Sequence, residues 1–144
     1  MAVFIIPLFS HSLRALHFTA RHGHSQCLEI LIKYGADVTA EDFYGWQAIH
    51  EAALNGHIDC LASLLEKGAK VDSATYNNNG PNTPLHYAAR HGYVESVRLL
   101  LMYGADWKSV NNFGETPLHC TAMRGHVDCM QTLVRAGTNT FFYH

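Results

Sequence analysis

Thr83-Pro84-Leu85-His86-Tyr87-Ala88-Ala89-Arg90-His91-Gly92 is the stretch on which the fold turns. A threonine oxygen satisfies an orphan amide at a helix start, proline supplies the backbone angle of a first helical position, and glycine takes a left-handed conformation without steric cost. The pattern predicts a helix of about two turns, stopped at Gly92. Val94, Val97, Leu100 and Leu101 then recur at helical spacing as far as Gly104, which predicts a second helix. Outward from this stretch the same phrase returns. Downstream stand Thr116-Pro117-Leu118-His119, Gly125 and Gly137; upstream stand Gln47-Ala48-Ile49-His50 with Gly56 and Gly68, and Arg14-Ala15-Leu16-His17 with Gly23 and Gly35.

The phrase keeps a period. His17, His50, His86 and His119 are separated by 33, 36 and 33 residues, and Gly35, Gly68, Gly104 and Gly137 repeat those intervals. Two unrelated residue types sharing one period define four copies of a single supersecondary unit. Each unit is two helices closed by glycines, and the polar stretch between units, such as 36–45, is too short for another helix and suits a turn or hairpin. A residue that recurs in every copy is structural in the first instance, so individual function belongs to the positions where the copies differ.

Threonine, proline, leucine and histidine opening a helix pair in a unit of about 33 residues is the ankyrin-repeat pattern. The chain resembles that family from about Ser10 to Asn139. The resemblance implies an all-α solenoid of stacked helix-turn-helix pairs, with β-hairpin or turn loops projecting like fingers and a concave face made by fingers and first helices. It divides the chain into an apolar segment 1–9, a repeat domain 10–139 (copies at about 10–41, 42–74, 75–110 and 111–139) and a tail 140–144. By the same resemblance His17, His50, His86 and His119 hydrogen-bond neighbouring loops and tie the copies together. The first two copies lack the capping threonine and the proline, so their helices are expected to start less firmly, and a low or broad thermal transition follows.

Composition narrows the function. Of 144 residues, 48% are hydrophobic and 15% charged, which excludes disorder, and a net charge of -2 offers no general attraction for phosphate backbones. Nucleic acid and membrane are therefore not expected partners, since no apolar run approaches the roughly 20 residues of a bilayer span. The segment 1–9 is almost wholly apolar, yet it has no Lys or Arg before the apolar run, contains Pro7 and lacks a clear cleavage site for a secretory signal. It reads as a lid on the first copy or the remnant of a preceding one. At the other end Thr140-Phe141-Phe142-Tyr143-His144 replaces a polar strand, either covering the last helix or marking a fragment.

Four cysteines and eleven histidines invite a metal or redox reading, which repeat phase answers. Cys27, Cys60 and Cys129 each follow a marker histidine by ten residues, with Ser96 in the third copy. They form one packing position, and stacked units about 8 to 10 Å apart hold equivalent Cα atoms beyond the roughly 7 Å limit of a disulfide. Cys120, out of phase, is also expected to be packed. Free thiols suit the cytoplasm or nucleus. His24, His57 and His126 share a second fixed place, where Tyr93 stands in the third copy, and a ladder of single imidazoles does not converge on one ion. No nucleophile elbow or glycine-rich phosphate loop is present. Neither a metal, a cofactor nor a catalytic residue is expected.

The copies differ at two rows. Finger tips carry Phe43, Tyr44 and Trp46 in the second copy, Tyr76 and Asn82 in the third, and Asn112, Phe113 and Glu115 in the fourth. First helices end in Arg21 and His22, Leu54 and Asn55, Arg90 and His91, and Met123 and Arg124. Aromatics and arginine dominate protein interface energies. The expected function is a non-catalytic, monomeric protein-binding module, its partner or an acidic peptide lying across this face, with Tyr44 and Trp46 as anchors and Arg90 and Arg124 pairing with acids. The alternative for Phe43, Tyr44 and Phe113 is packing along the hairpins. A methyl-lysine reader caged by Phe43, Tyr44 and Trp46 with Asp42 or Glu51, a substrate-recruiting fragment of a ubiquitin-ligase adaptor, and a plain spacer are the other readings. The three extra residues within 76–82, where Asn79-Gly80 and Gly80-Pro81 signal turns, lengthen the third finger as a contact element or as a tolerated insertion.

Overall fold

A computed structural model describes residues 14–77 and 80–142, with side chains as far as Thr138. The segment 1–9, Ser10 and the last two tail residues lie outside the described residues. Helix α1 covers described residues 14–22, followed by α2 (Ser25–Lys33), α3 (Ala48–Asn55) and α4 (Ile58–Glu66). The third finger is an antiparallel pair, β1 (Thr75–Asn77) and β2 (Gly80–Asn82), in which Thr75 faces Asn82 and Asn77 faces Gly80. Then come α5 (Pro84–His91), α6 (Val94–Met102), α7 (Pro117–Arg124) and α8 (Val127–Phe142).

These are four helix pairs in one row. First helices pack on first helices, α3 on α5 on α7, and second helices on second helices, α2 on α4 on α6 on α8. Small residues make the first row possible: Ala20, Ala52, Ala53, Ala88 and Ala89 are fully buried, and their size lets backbones approach closely. Between the rows lie Leu28, Ile49, Leu61, Leu64, Leu85, Val97 and Leu100, all fully buried. The core is thus a sheet of apolar side chains running the length of the array.

The caps follow the sequence. Thr83 and Thr116 accept the amides of His86 and His119, while Nδ1 of those histidines accepts the threonine amides at 3.2 and 3.0 Å. In the second copy the same arrangement is present but looser. His50 Nδ1 accepts the Gln47 amide at 2.9 Å, but the Gln47 side-chain oxygen is buried without a hydrogen bond.

Two expectations are corrected. The last helix does not stop at Gly137 but runs on to Phe142. No Ala-Asp turn follows Gly137 as it does Gly35 and Gly104, and the bare Cα lies against the Trp107 ring, where a Cβ would stand 3.2 Å away. Cys27 is exposed rather than packed. Its equivalent Cys60 is buried against the Thr19 carbonyl of the preceding copy, a contact Cys27 lacks among the described residues. Cys60, Cys120 and Cys129 are buried, and all four thiols are free.

Candidate protein-binding face

Two ladders of rings, imidazoles except for Tyr93, run along the joints between copies. Because the Nδ1 atoms of His50 and His86 accept backbone amides, their protons sit on Nε2, which donates to the Ser73 carbonyl at 2.7 Å and the Glu115 carbonyl at 3.0 Å. His17 reaches the Trp46 carbonyl in the same way, at 2.9 Å. The longer third finger changes the acceptor, so His50 meets Ser73 near the finger base rather than a residue just before the next helix. Burial keeps both rings neutral: desolvation lowers His86 and takes His50 down to about 4. The second ladder had no assigned role in the sequence. His57, Tyr93 and His126 each press a ring on the helix-ending glycine of the preceding copy, Gly23, Gly56 and Gly92 respectively. Nε2 of His57 donates to the Arg21 carbonyl and that of His126 to the Arg90 carbonyl.

The second and fourth fingers share one construction. Asp42 Oδ1 accepts the amides of Tyr44 and Trp46, and Asn111 Oδ1 accepts those of Phe113 and Glu115. These Asx turns aim the tip aromatics outward: Phe43 is 95% exposed, Phe113 67% and Tyr44 61%. Packing along the hairpins is therefore not their state. Tyr76, on β1, is 72% exposed, and its amide donates to the Tyr44 carbonyl, which joins the second and third fingers. Asn112 is exposed and packs on Gly80 of the third finger.

Other residues of the expected face serve the fold as well. Trp46 is half-buried, its ring 5.0 Å from that of Tyr87 and 5.5 Å from that of His50. Asn82 is fully buried, accepting from Asn111, so its side chain is no contact residue; three extra residues fold it back under the finger. Arg90 is engaged, 3.6 Å from Glu115 and in contact with the Cys120 sulfur. Glu115 also accepts from Asn111. Exposed and available are Met123, Arg124 and His91, the last stacked on Tyr93.

Between α1, α3 and the second finger lies a cleft of about 440 Å³. Tyr44, Trp46 and Leu54 give it apolar walls, while Asp42, Asn55 and the Arg21–Glu51 pair give it polar ones. Glu51 is buried and held at both oxygens by Arg21, at 2.8 and 3.2 Å, and this contact raises Arg21 further above its ordinary range. The half-exposed Arg21 does not appear in the sequence reading as a partner of Glu51, since 30 residues separate them. Phe43 does not line the cleft; it meets Tyr44 edge to face at 5.7 Å.

A row of histidine-tied helix pairs with outward fingers is the architecture of a repeat protein that binds others. The chain matches the family described as ankyrin repeats (3 copies) over residues 8–75 and again over 72–141, and it belongs to that family. It is 31% identical over 112 residues to human protein phosphatase 1 regulatory subunit 27, covering 78% of this chain and 49% of that protein. It is 33% identical over 91 residues to the probable E3 ubiquitin-protein ligase XBOS32 of rice, covering 63% and 17%. With zebrafish ankyrin repeat and SOCS box protein 11 it shares 37% over 99 residues, covering 69% and 32%. The chain thus spans about half the length of the first of these and less of the others.

Proposed function

We propose that this chain is a non-catalytic adaptor module whose finger-and-first-helix face binds a protein partner. The observation that carries the reading is the exposure of Phe43, Tyr44, Tyr76, Phe113 and Met123 at positions where the copies differ, beside a 440 Å³ cleft. Exposed aromatics held by rigid turns bury area at low entropic cost, which is what interface anchors do. The relatives support a role exercised through other proteins, as a phosphatase regulatory subunit or a ligase-associated repeat. Monomeric action in the cytoplasm or nucleus accords with the four free thiols. Among the described residues no helix is long and apolar enough to cross a membrane.

Substrate recruitment to a ubiquitin ligase is the second reading, and it rests on the rice and zebrafish relatives. The methyl-lysine reader has less support: two rings and Asp42 border the cleft, but Phe43 is absent from it and Arg21 occupies one wall. To test the face, affinity capture compares Phe43→Ala/Tyr44→Ala and Met123→Ala/Arg124→Glu chains with a control altered at Tyr34 and Met102, exposed at the C-terminal ends of second helices. Partners lost with both face variants and kept by the control support the face; equal capture by all three refutes it.

A further inference from the structure

The finger-and-first-helix face is electrically polarised along the array. At the cleft, Glu51 is neutralised by Arg21. Asp42 is not: one oxygen accepts two backbone amides, and the carboxylate has no ion pair among the described residues. One negative charge therefore remains beside the rings of Tyr44 and Trp46, and a carboxylate next to aromatic faces selects an ammonium or guanidinium group.

Two helices along the row the sign reverses. Arg90 and Glu115 compensate each other at 3.6 Å, while Arg124 is exposed and has no ion pair among the described residues. His91 reports the surplus: partial burial lowers its pKa first, and the charges of Arg124, Arg90 and His126 lower it further. Neighbouring helices pack about 8 to 10 Å apart, so α3 and α7 stand roughly 16 to 20 Å apart. Asp42 lies on the finger ahead of α3 and Arg124 ends α7, so the two charges stand farther apart than the helix axes, and an extended chain, advancing about 3.3 Å per residue, needs at least five or six residues to join them.

Building on the reading above, we propose that the partner presents an extended segment carrying a Lys or Arg that enters the cleft beside Asp42, Tyr44 and Trp46, and an Asp or Glu at least five or six residues away that meets Arg124. The side chains that face these charges are Arg21 and Glu51 at the cleft, and Arg90, Glu115, His91 and His126 at the other end. The pairing fixes the direction of the bound segment.

A display library of random 12-residue peptides, selected on the intact chain, tests this. Enriched peptides are expected to carry the basic and acidic residues at that spacing or wider, and the best of them, followed by fluorescence anisotropy, to bind on the order of tenfold more weakly to Asp42→Asn and to Arg124→Glu. Asparagine keeps the finger turn, as Asn111 does in the fourth copy, and unchanged melting of both variants confirms intact folds. A peptide whose acid is replaced by lysine should regain affinity on Arg124→Glu. Enriched peptides without the charge pair, or binding undiminished by both substitutions, overturn the charge pattern while leaving a protein-binding face in place. No enrichment on the unaltered chain overturns both.

Discussion

The imidazole of His126 occupies the space that a side chain at Gly92 would need: a Cβ there would stand 2.6 Å from the ring nitrogen Nδ1. His57 on Gly23 and Tyr93 on Gly56 repeat the relationship. The glycine that ends a first helix is thus also the seat for the ring that begins the next copy's second helix. Gly125 supplies a natural control, since it has the same left-handed backbone (φ 73° against 76°) but nothing within 4 Å of a built Cβ.

Gly92→Ala and Gly125→Ala should therefore differ. Both pay for a left-handed alanine, about 1 kcal/mol. Gly92→Ala also displaces the His126 ring and its bond to the Arg90 carbonyl, another 1 kcal/mol or more. Urea unfolding of the two variants is expected to show Gly92→Ala at least twice as destabilising. Equal losses would mean that the ring gives way freely.

The period, the helix pairs and the threonine caps were legible because backbone chemistry repeats in every copy and so announces itself. The seating of His126 on Gly92 was half legible: both residues recur in phase, but contact across a joint has no local signature. The finger aromatics could be read as exposed only up to the choice between packing and projection, which the Asx bonds of Asp42 and Asn111 decide. Asn82 and Trp46 were read as tip residues, and three extra residues plus the position of Tyr87 on the next helix drew them inward. Non-local pairs such as Arg21 with Glu51 leave no trace in a single sequence.

Buried His50 makes stability depend on pH. Its pKa in the folded chain, about 4, lies below the ordinary 6.5, because burial disfavours the charged ring. The unfolded chain therefore takes up a proton first as pH falls. The stabilisation is complete above about pH 6.5 and is lost progressively between there and pH 4, by roughly 2 to 3 kcal/mol, and lowered His86 acts in the same direction. Denaturant midpoints measured from pH 7.5 to 4.5 should fall steadily. A flat profile would show that the rings titrate normally in the folded state.

Gln47 offers a stabilising change. Its side-chain oxygen is buried and unpaired, whereas Thr83 and Thr116 at the same place bond the amide three residues on. Gln47→Thr combined with Ala48→Pro should restore that bond, remove the orphan oxygen and add about 1 kcal/mol. An upward shift of a few degrees in the thermal midpoint checks it. No shift would place the weakness of the second copy elsewhere than its cap.

Thiol accessibility separates the cysteines. Cys27 is exposed, while Cys60, Cys120 and Cys129 are buried and desolvation pushes each thiol up, Cys60 to about 11. A chromogenic disulfide reagent at neutral pH should label one thiol rapidly in the folded chain and the other three only after denaturation, since the thiolate is the reactive form. Mass mapping that finds the fast label on Cys60 or Cys129 would contradict the stacking of the copies.

Tyr87 couples the core to the third finger. Its hydroxyl bonds Thr75 Oγ1 at 2.8 Å and accepts from Asn77 Nδ2 at 3.2 Å, and Thr75 is fully buried. Tyr87→Phe keeps the ring against Trp46 and removes only those bonds, at a cost of about 1 kcal/mol. The loss should be local, because β1 meets the second finger at its edge, through the bond from the Tyr76 amide to the Tyr44 carbonyl. Hydrogen exchange at Tyr76 is therefore expected to quicken about fivefold or more while amides within α5 and α6 keep their protection. If the finger amides are unaffected, the hydroxyl is not what holds the finger in register with its neighbours, and the exposed row from Tyr44 to Tyr76 is held by the strand pairing and the Tyr76–Tyr44 bond.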